Sequence, residues 1–205
     1  RVVSLRACAT HPESSKGNML PATRVPASKA KWLIASRAAV AARHKERALP
    51  MNSNDDYALL TDLYQITMAQ GYWACGKLEE EGCFHIFFRE PPFKGGYAIA
   101  SGMDHIAEVV ENFSFSDKSI EYLSSIDAPG GGKLFNPEFL EYLRTLELTV
   151  DIDAVREGTV VFPNDPIVRV TGPIVQCQLL ETQLLNCVNF ETLAATKAAR
   201  VCLAA

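Results

Sequence analysis

Tyr64, Asp62 and Arg89 are the side chains best placed to do chemistry in this sequence. Tyr64 lies in LLTDLYQITMAQGYW, Leu59 to Trp73, where Leu60, Tyr64 and Met68 recur every fourth residue and share one helical face. On periodicity alone Tyr64 reads as a core residue. The alternative is a flat ring offered to a flat ligand, since offset stacking is worth roughly 0.5–1.5 kcal/mol beyond area burial. Thr61 and Asp62 stand where an N-cap would be. A carboxylate there is favoured by the helix dipole by about 0.3–1 kcal/mol, which accounts for Asp62 without any ligand. Arg89 is the only cation between Lys77 and Lys94. Its guanidinium can pair with Glu90 or another acid, or present a permanently charged fork to phosphate oxygens.

Other chemistry-bearing types are less informative. The six cysteines (Cys8, Cys75, Cys83, Cys177, Cys187, Cys202) form no C-x-x-C pair and no zinc spacing with histidine, so they read as reduced and mostly buried thiols. The glycines before Lys133 in APGGGKLF lack the G-x-x-x-x-G-K-[ST] frame and a strand leading into them, so a surface loop is expected there. Gly95 and Gly96 are expected to make a turn.

The elements that must position these residues alternate in type. A helix is predicted over 57–75, a buried strand over 82–89 stopped by Pro91 and Pro92, and a short extended piece at YAIASG. Helices are predicted over 104–113, 119–126 and 137–146. From Asp151 to Gln176, β-branched runs broken by glycine and proline predict closely spaced antiparallel strands. The last segment puts Leu180, Leu184, Val188, Ala195, Ala199 and Cys202 on one helical face, with Asn186, Asn189, Thr196, Lys197 and Arg200 opposite. Glu191 falls within the apolar stripe. Either the helix breaks there or Glu191 is buried with a partner, because an unpaired buried carboxylate is too costly.

Charge divides the chain. Residues 1–50 carry ten Lys and Arg against Glu13 and Glu46, a balance of +8; the remaining ten meet 22 Asp and Glu, a balance of −12. The acidic body argues against nucleic-acid binding, and no apolar run approaches the roughly 18 residues of a membrane span. Residues 1–55 read as a disordered or non-native basic leader, with Met51 as a natural first residue and a transit peptide as the alternative.

Three strings carry a resemblance: TDLYQITMAQGYW (61–73), FFREPPFKGGYAIASG (87–102) and EGTVVFPNDPIVRVTGPIVQCQLLETQLLNCVNFETLAATKAAR (157–200). Together they resemble nicotinate phosphoribosyltransferase over essentially all of 57–205. The resemblance implies the fold of a type II phosphoribosyltransferase: an α/β class chain with an α+β N-terminal domain over 56–205, ending at a helix that leads into an α/β barrel, most of which is absent here. It implies a cytosolic enzyme of NAD salvage joining nicotinate to phosphoribosyl pyrophosphate, coupled to ATP hydrolysis through a phosphorylated histidine, with Mg2+ on the pyrophosphate and a homodimer sharing its active sites. It implies that Tyr64 contacts nicotinate from the neighbouring subunit, that Asp62 lies near the same pocket, and that Arg89 reaches phosphate across the dimer. His11, His44, His85 and His105 match no catalytic histidine motif. No catalytic residue and no ligand for Mg2+ or ATP is therefore assigned, and the chain is expected to be an inactive fragment. A nicotinamide- or quinolinate-using relative and a non-catalytic interaction module are the alternatives.

Overall fold

A computed structural model describes residues 57–205 together with two strands of the preceding segment, β1 (Val3–Cys8) and β2 (Thr23–Pro26). Apart from those strands, the expectations for residues 1–55 lie outside the described residues.

Strand β3 (Glu81–Phe88) explains the sheet. Its sequence alternates, with Gly82, Phe84, Ile86 and Phe88 buried and Cys83, His85 and Phe87 on the opposite, half-covered face. Antiparallel to it runs β7 (Val168–Pro173), where Val168 and Val170 are buried and Arg169 and Thr171 face the other way. β5 (Asp151–Ala154) continues from β7, and β1 and β2 close the two edges, so the order is β1-β3-β7-β5-β2 with every pair antiparallel. The antiparallel strands expected between Asp151 and Gln176 are therefore present. A second, two-stranded sheet pairs β4 (Ala98–Ile99) with β6 (Val160–Val161).

The buried face of the sheet rests on α5 (Ile174–Ala204), a single 31-residue helix. Val175 to Leu180 are all buried, so the first turns of the helix are enclosed on every side, as a core helix is. Two of its buried amides reach backbone of neighbouring segments. Gln176 accepts from the Thr149 backbone N–H at 2.7 Å, and Gln183 donates to the Tyr57 carbonyl at 3.1 Å. Against α5 pack α1 (Leu63–Ala74) and α2 (Met103–Glu111), while α3 (Asp117–Ser125) and α4 (Pro137–Arg144) pack against each other. Asn136 caps α4 by accepting from the Glu138 N–H at 2.8 Å, and Pro137 occupies the first turn, where its missing N–H costs nothing.

The glycine-rich segment is ordered as a closed turn. Ala128 donates to the Gly132 carbonyl at 3.0 Å, and Lys133 pairs with Asp127 at 2.9 Å and donates to the Ser125 carbonyl at 3.0 Å. Its lysine is thus committed to its own loop, which accords with a surface turn and not a phosphate cradle.

Gly102 is the hinge between β4 and α2. Its φ of 105° lies in the left-handed region, and a Cβ there would meet the Cys187 carbonyl at 2.9 Å. The N–H groups of Gly102 and Met103 both donate to Glu157 Oε1, at 2.9 and 2.6 Å, so one carboxylate serves the open end of α2.

Candidate functional site

The predicted helix over 57–75 is interrupted. A 3-10 turn (Tyr57–Leu59) comes first and α1 begins at Leu63, so Leu60 lies outside the helix. The face carrying Tyr64 points outward. Leu60, Leu63, Tyr64 and Met68 are 54%, 49%, 48% and 42% exposed, whereas Gln65, Ile66 and Ala69 are buried. Periodicity had made Tyr64 a core residue, but the side of the helix that meets α5 is the one carrying Gln65. Gln65 Nε2 donates to the Tyr64 hydroxyl at 2.8 Å and to Thr182 Oγ1 on α5 at 3.4 Å. The phenol is therefore anchored from behind while its ring faces out among apolar neighbours.

Asp62 occupies the N-cap of α1 with extended backbone, and its carbonyl accepts from the Gln65 N–H at 3.0 Å. Its exposed carboxylate makes no side-chain capping bond, so the dipole explanation holds only as a charge effect. Arg89 is exposed and follows the last residue of β3 directly. The structure thus groups Asp62 with Tyr64 at the start of α1 and leaves Arg89 on a separate element, at the entrance to the loop 91–97.

That loop holds features the sequence did not disclose. Phe93 and Lys94, consecutive non-glycine residues, have φ of 60° and 54°. Such backbone costs on the order of 1–3 kcal/mol per residue and persists only where its surroundings enforce it. Here the enforcing group is Arg200 of α5. Its Nη1 donates to the Phe93 carbonyl at 3.2 Å, and its guanidinium lies 5.6 Å from both the Phe93 and Tyr97 ring centroids. Lys197, one turn earlier, stands 5.1 Å from the Phe93 centroid. Gly95 is required sterically, since a Cβ there would overlap the Arg200 guanidinium. The Gly95-Gly96 turn is thus also a seat for an arginine.

Glu191 resolves its own ambiguity. The helix does not break, and Glu191 Oε1 meets His105 Nδ1 of α2 at 3.0 Å, each side chain about one-third exposed. The pair borders a cavity of about 170 Å3 also lined by Tyr57, Leu60, Gln183 and Phe190; Tyr64, Asp62 and Arg89 are not among its walls. Thr196, read as part of the polar face, is fully buried. It accepts from the Ile99 N–H at 2.8 Å and donates to the Thr192 carbonyl at 2.6 Å. His85 lies half-buried on β3, 4.0 Å from Cys83, and burial together with Arg169 holds its pKa below the usual value. Burial pushes the Cys177 and Cys187 thiols up to about 12, whereas Cys75 and Cys202 are exposed. Among the described residues no three His, Cys, Asp or Glu side chains stand together to hold a metal ion, so no step here is assigned to one. No helix among them is long and apolar enough to cross a membrane.

Residues 59–189 match the family described as nicotinate phosphoribosyltransferase (NAPRTase) N-terminal domain. The chain belongs to the nicotinate phosphoribosyltransferase family. Its similarity to individual members is substantial. It is 44% identical over 160 residues to the nicotinate phosphoribosyltransferase of Caenorhabditis elegans, covering 77% of this chain and 28% of that protein. The Bacillus subtilis nicotinate phosphoribosyltransferase is 47% identical over 148 residues, 72% of this chain and 29% of that protein. The crystal structure of human nicotinic acid phosphoribosyltransferase superposes with a TM-score of 0.64 at 41% identity, over 71% of this chain and 28% of that one. The chain thus spans between a quarter and a third of the length of these nicotinate phosphoribosyltransferases. Its fold is the expected mixed helix and sheet domain, with no closed barrel among the described residues.

Proposed function

We propose that these residues form the N-terminal domain of an enzyme of NAD salvage that converts nicotinate and phosphoribosyl pyrophosphate to nicotinate mononucleotide and pyrophosphate. Tyr64 acts as an aromatic wall for the nicotinate ring bound by a second subunit. The observation that carries this reading is the outward-facing Tyr64 ring, half exposed within an apolar patch and tethered through its hydroxyl to buried Gln65. A ring held this way loses little freedom when a flat heterocycle stacks on it, so the stacking energy is not spent on ordering the side chain. Asp62 lies at the edge of the same face, and Arg89 supplies a charged fork for a phosphate of the ligand.

The reaction displaces pyrophosphate at the ribose anomeric carbon through an oxocarbenium-like state. This domain contributes to holding ring and phosphates in line. The remaining groups, including those for ATP and Mg2+, come from parts of the enzyme outside these residues. The assembly is a cytosolic homodimer whose two domains of this kind complete each other's sites.

The test joins residues 57–204 to the remaining part of the Bacillus subtilis relative. The hybrid should form nicotinate mononucleotide from nicotinate and phosphoribosyl pyrophosphate, and Tyr64→Ala should raise the KM for nicotinate by roughly 2–12-fold, the stacking range converted to affinity. The 205-residue chain alone should give no product. A folded, dimeric hybrid whose nicotinate KM ignores Tyr64→Ala would sink the assignment.

A further inference from the structure

We infer that the cavity between the Tyr57–Leu59 turn, α2 and α5 is a binding site for a small, neutral aromatic molecule of the phenol class, a single ring carrying one hydroxyl or N–H donor. None of the residues assigned above to nicotinate or phosphate borders it, so the inference stands apart from that reading. Its volume is about 170 Å3. An apolar protein cavity of about 150 Å3 holds one benzene ring, so this one has room for a six-membered ring with one substituent. Its inner walls include the buried side chains of Val109 and Cys187, and exposed Leu60 and Phe190 stand at its rim. Tyr57, His105 and Phe190 give it ring walls from three separate segments, and another ring packs well on such surfaces.

Gln183 sets the chemistry. It is fully buried and lines the cavity. Its Nε2 is committed to the carbonyl of Tyr57, another wall residue, at 3.1 Å, which identifies the other end of the amide as the oxygen. That Oε1 is buried and has no partner among the described residues. A buried acceptor is costly to leave unmatched, and a donor on an entering ring would match it. Charge narrows the choice further. The Glu191 carboxylate is engaged by His105 Nδ1 at 3.0 Å, and no Lys or Arg lines the cavity to receive an anion. A neutral ring with one donor suits all of these walls. The opposing account is a plain packing void, which takes any apolar ring of the right size and is indifferent to a donor.

The experiment titrates the 15N-labelled 205-residue chain with phenol, benzene and benzoate and follows the amide shifts. Phenol should bind saturably with a dissociation constant of about 1 mM, within the reach of so small a ligand. The amides that shift should be those around Tyr57, His105 and Gln183. Benzene, equal in ring but without the donor, should bind about tenfold more weakly, the scale of one hydrogen bond to a buried acceptor. Benzoate should not bind at the same concentrations. Gln183→Met removes the acceptor at similar volume and should erase the difference between phenol and benzene. Should that variant fail to fold, Phe190→Ala still decides: Phe190 is 74% exposed, so the fold does not depend on it, and its loss should weaken phenol roughly 2–12-fold. The hybrid with the Bacillus subtilis part should bind phenol as the chain alone does; a site lost there is a contact between domains and overturns the inference. Absence of saturable phenol binding, equal affinity for benzene or benzoate, or indifference to Phe190→Ala would overturn it too.

Discussion

Thr192 and Thr196 should prove to be the joints that fasten β4 to α5, and their removal should cost more than any surface threonine. Both are fully buried. Thr192 Oγ1 accepts from the Ser101 N–H and donates to the Ser101 carbonyl, both at 3.1 Å, while Thr196 Oγ1 accepts from the Ile99 N–H at 2.8 Å. Valine fills nearly the same space but can neither donate nor accept. Thr196→Val therefore leaves the Ile99 N–H without its acceptor, at a cost of about 1–3 kcal/mol. Thr192→Val strips Ser101 of two bonds, so its cost should lie at the upper end of that same range of ~1–3 kcal/mol. In a urea titration with an m-value near ~2 kcal/mol/M, the midpoints should fall by about 0.5–1.5 M with m unchanged. Thr145→Val is the control. Its hydroxyl bonds the Glu141 carbonyl at 3.1 Å on an exposed helix end, and its substitution should stay within about 0.5 kcal/mol of the parent. If Thr192→Val and Thr196→Val unfold as this control does, the β4 segment is not held by these hydroxyls.

Gly102→Ala should destabilise the domain by more than about 1 kcal/mol, because it adds left-handed strain to a clash with a backbone carbonyl; thermal unfolding measures this. His85 gives a signed pH effect. Its folded pKa lies below the usual value, so the unfolded chain binds the extra proton, and stability should be full above pH 6.5 and decline as pH falls below it. His85→Asn should flatten that part of a stability–pH curve. Alkylation at pH 8 under native conditions should modify Cys75 and Cys202 well before Cys177 and Cys187, whose thiols are pushed up to about 12; peptide mass spectrometry after a time course reads the order.

How far the sequence could be read depended on how local the deciding interaction was. The alternation of Phe84, Ile86 and Phe88 is a property of one strand, and β3 runs where the pattern placed it. Helix α4 was equally legible, because Asn136 and Pro137 mark its start without reference to anything distant. Tyr64 was not legible from its own spacing. Leu60, Tyr64 and Met68 form a regular series, but so do Gln65 and Ala69, and only the position of α5 decides which side is buried. A glutamine is a poor advertisement for a core, yet Gln65 is inside, with Thr182 and the Tyr64 hydroxyl as partners for its Nε2. Thr196 misled for the same reason, since its partner Ile99 lies 97 residues away. Glu191 did announce itself. A carboxylate in an apolar stripe demands a partner, and His105 was the part that could not be named in advance.

Arg200 shows the same limit in its sharpest form and connects fold to function. In sequence it is one cation on a helix face, and Gly95 is half of an ordinary turn. Only when the two meet does the absence of a Cβ at Gly95 become the seat of a guanidinium, and the backbone at Phe93 and Lys94 become strain with an evident cause. The brace also bears on Arg89, which stands at the entrance to the loop, just before the 3-10 turn Pro92–Lys94. A loop free to sample many shapes would spread Arg89 and Lys94 over many positions, and any phosphate they met would bear the cost of ordering them. With Arg200 in place the loop is already braced against the end of α5. The long helix α5, whose first turns support the sheet, thus uses its outer half to preorganise the charged edge of the domain.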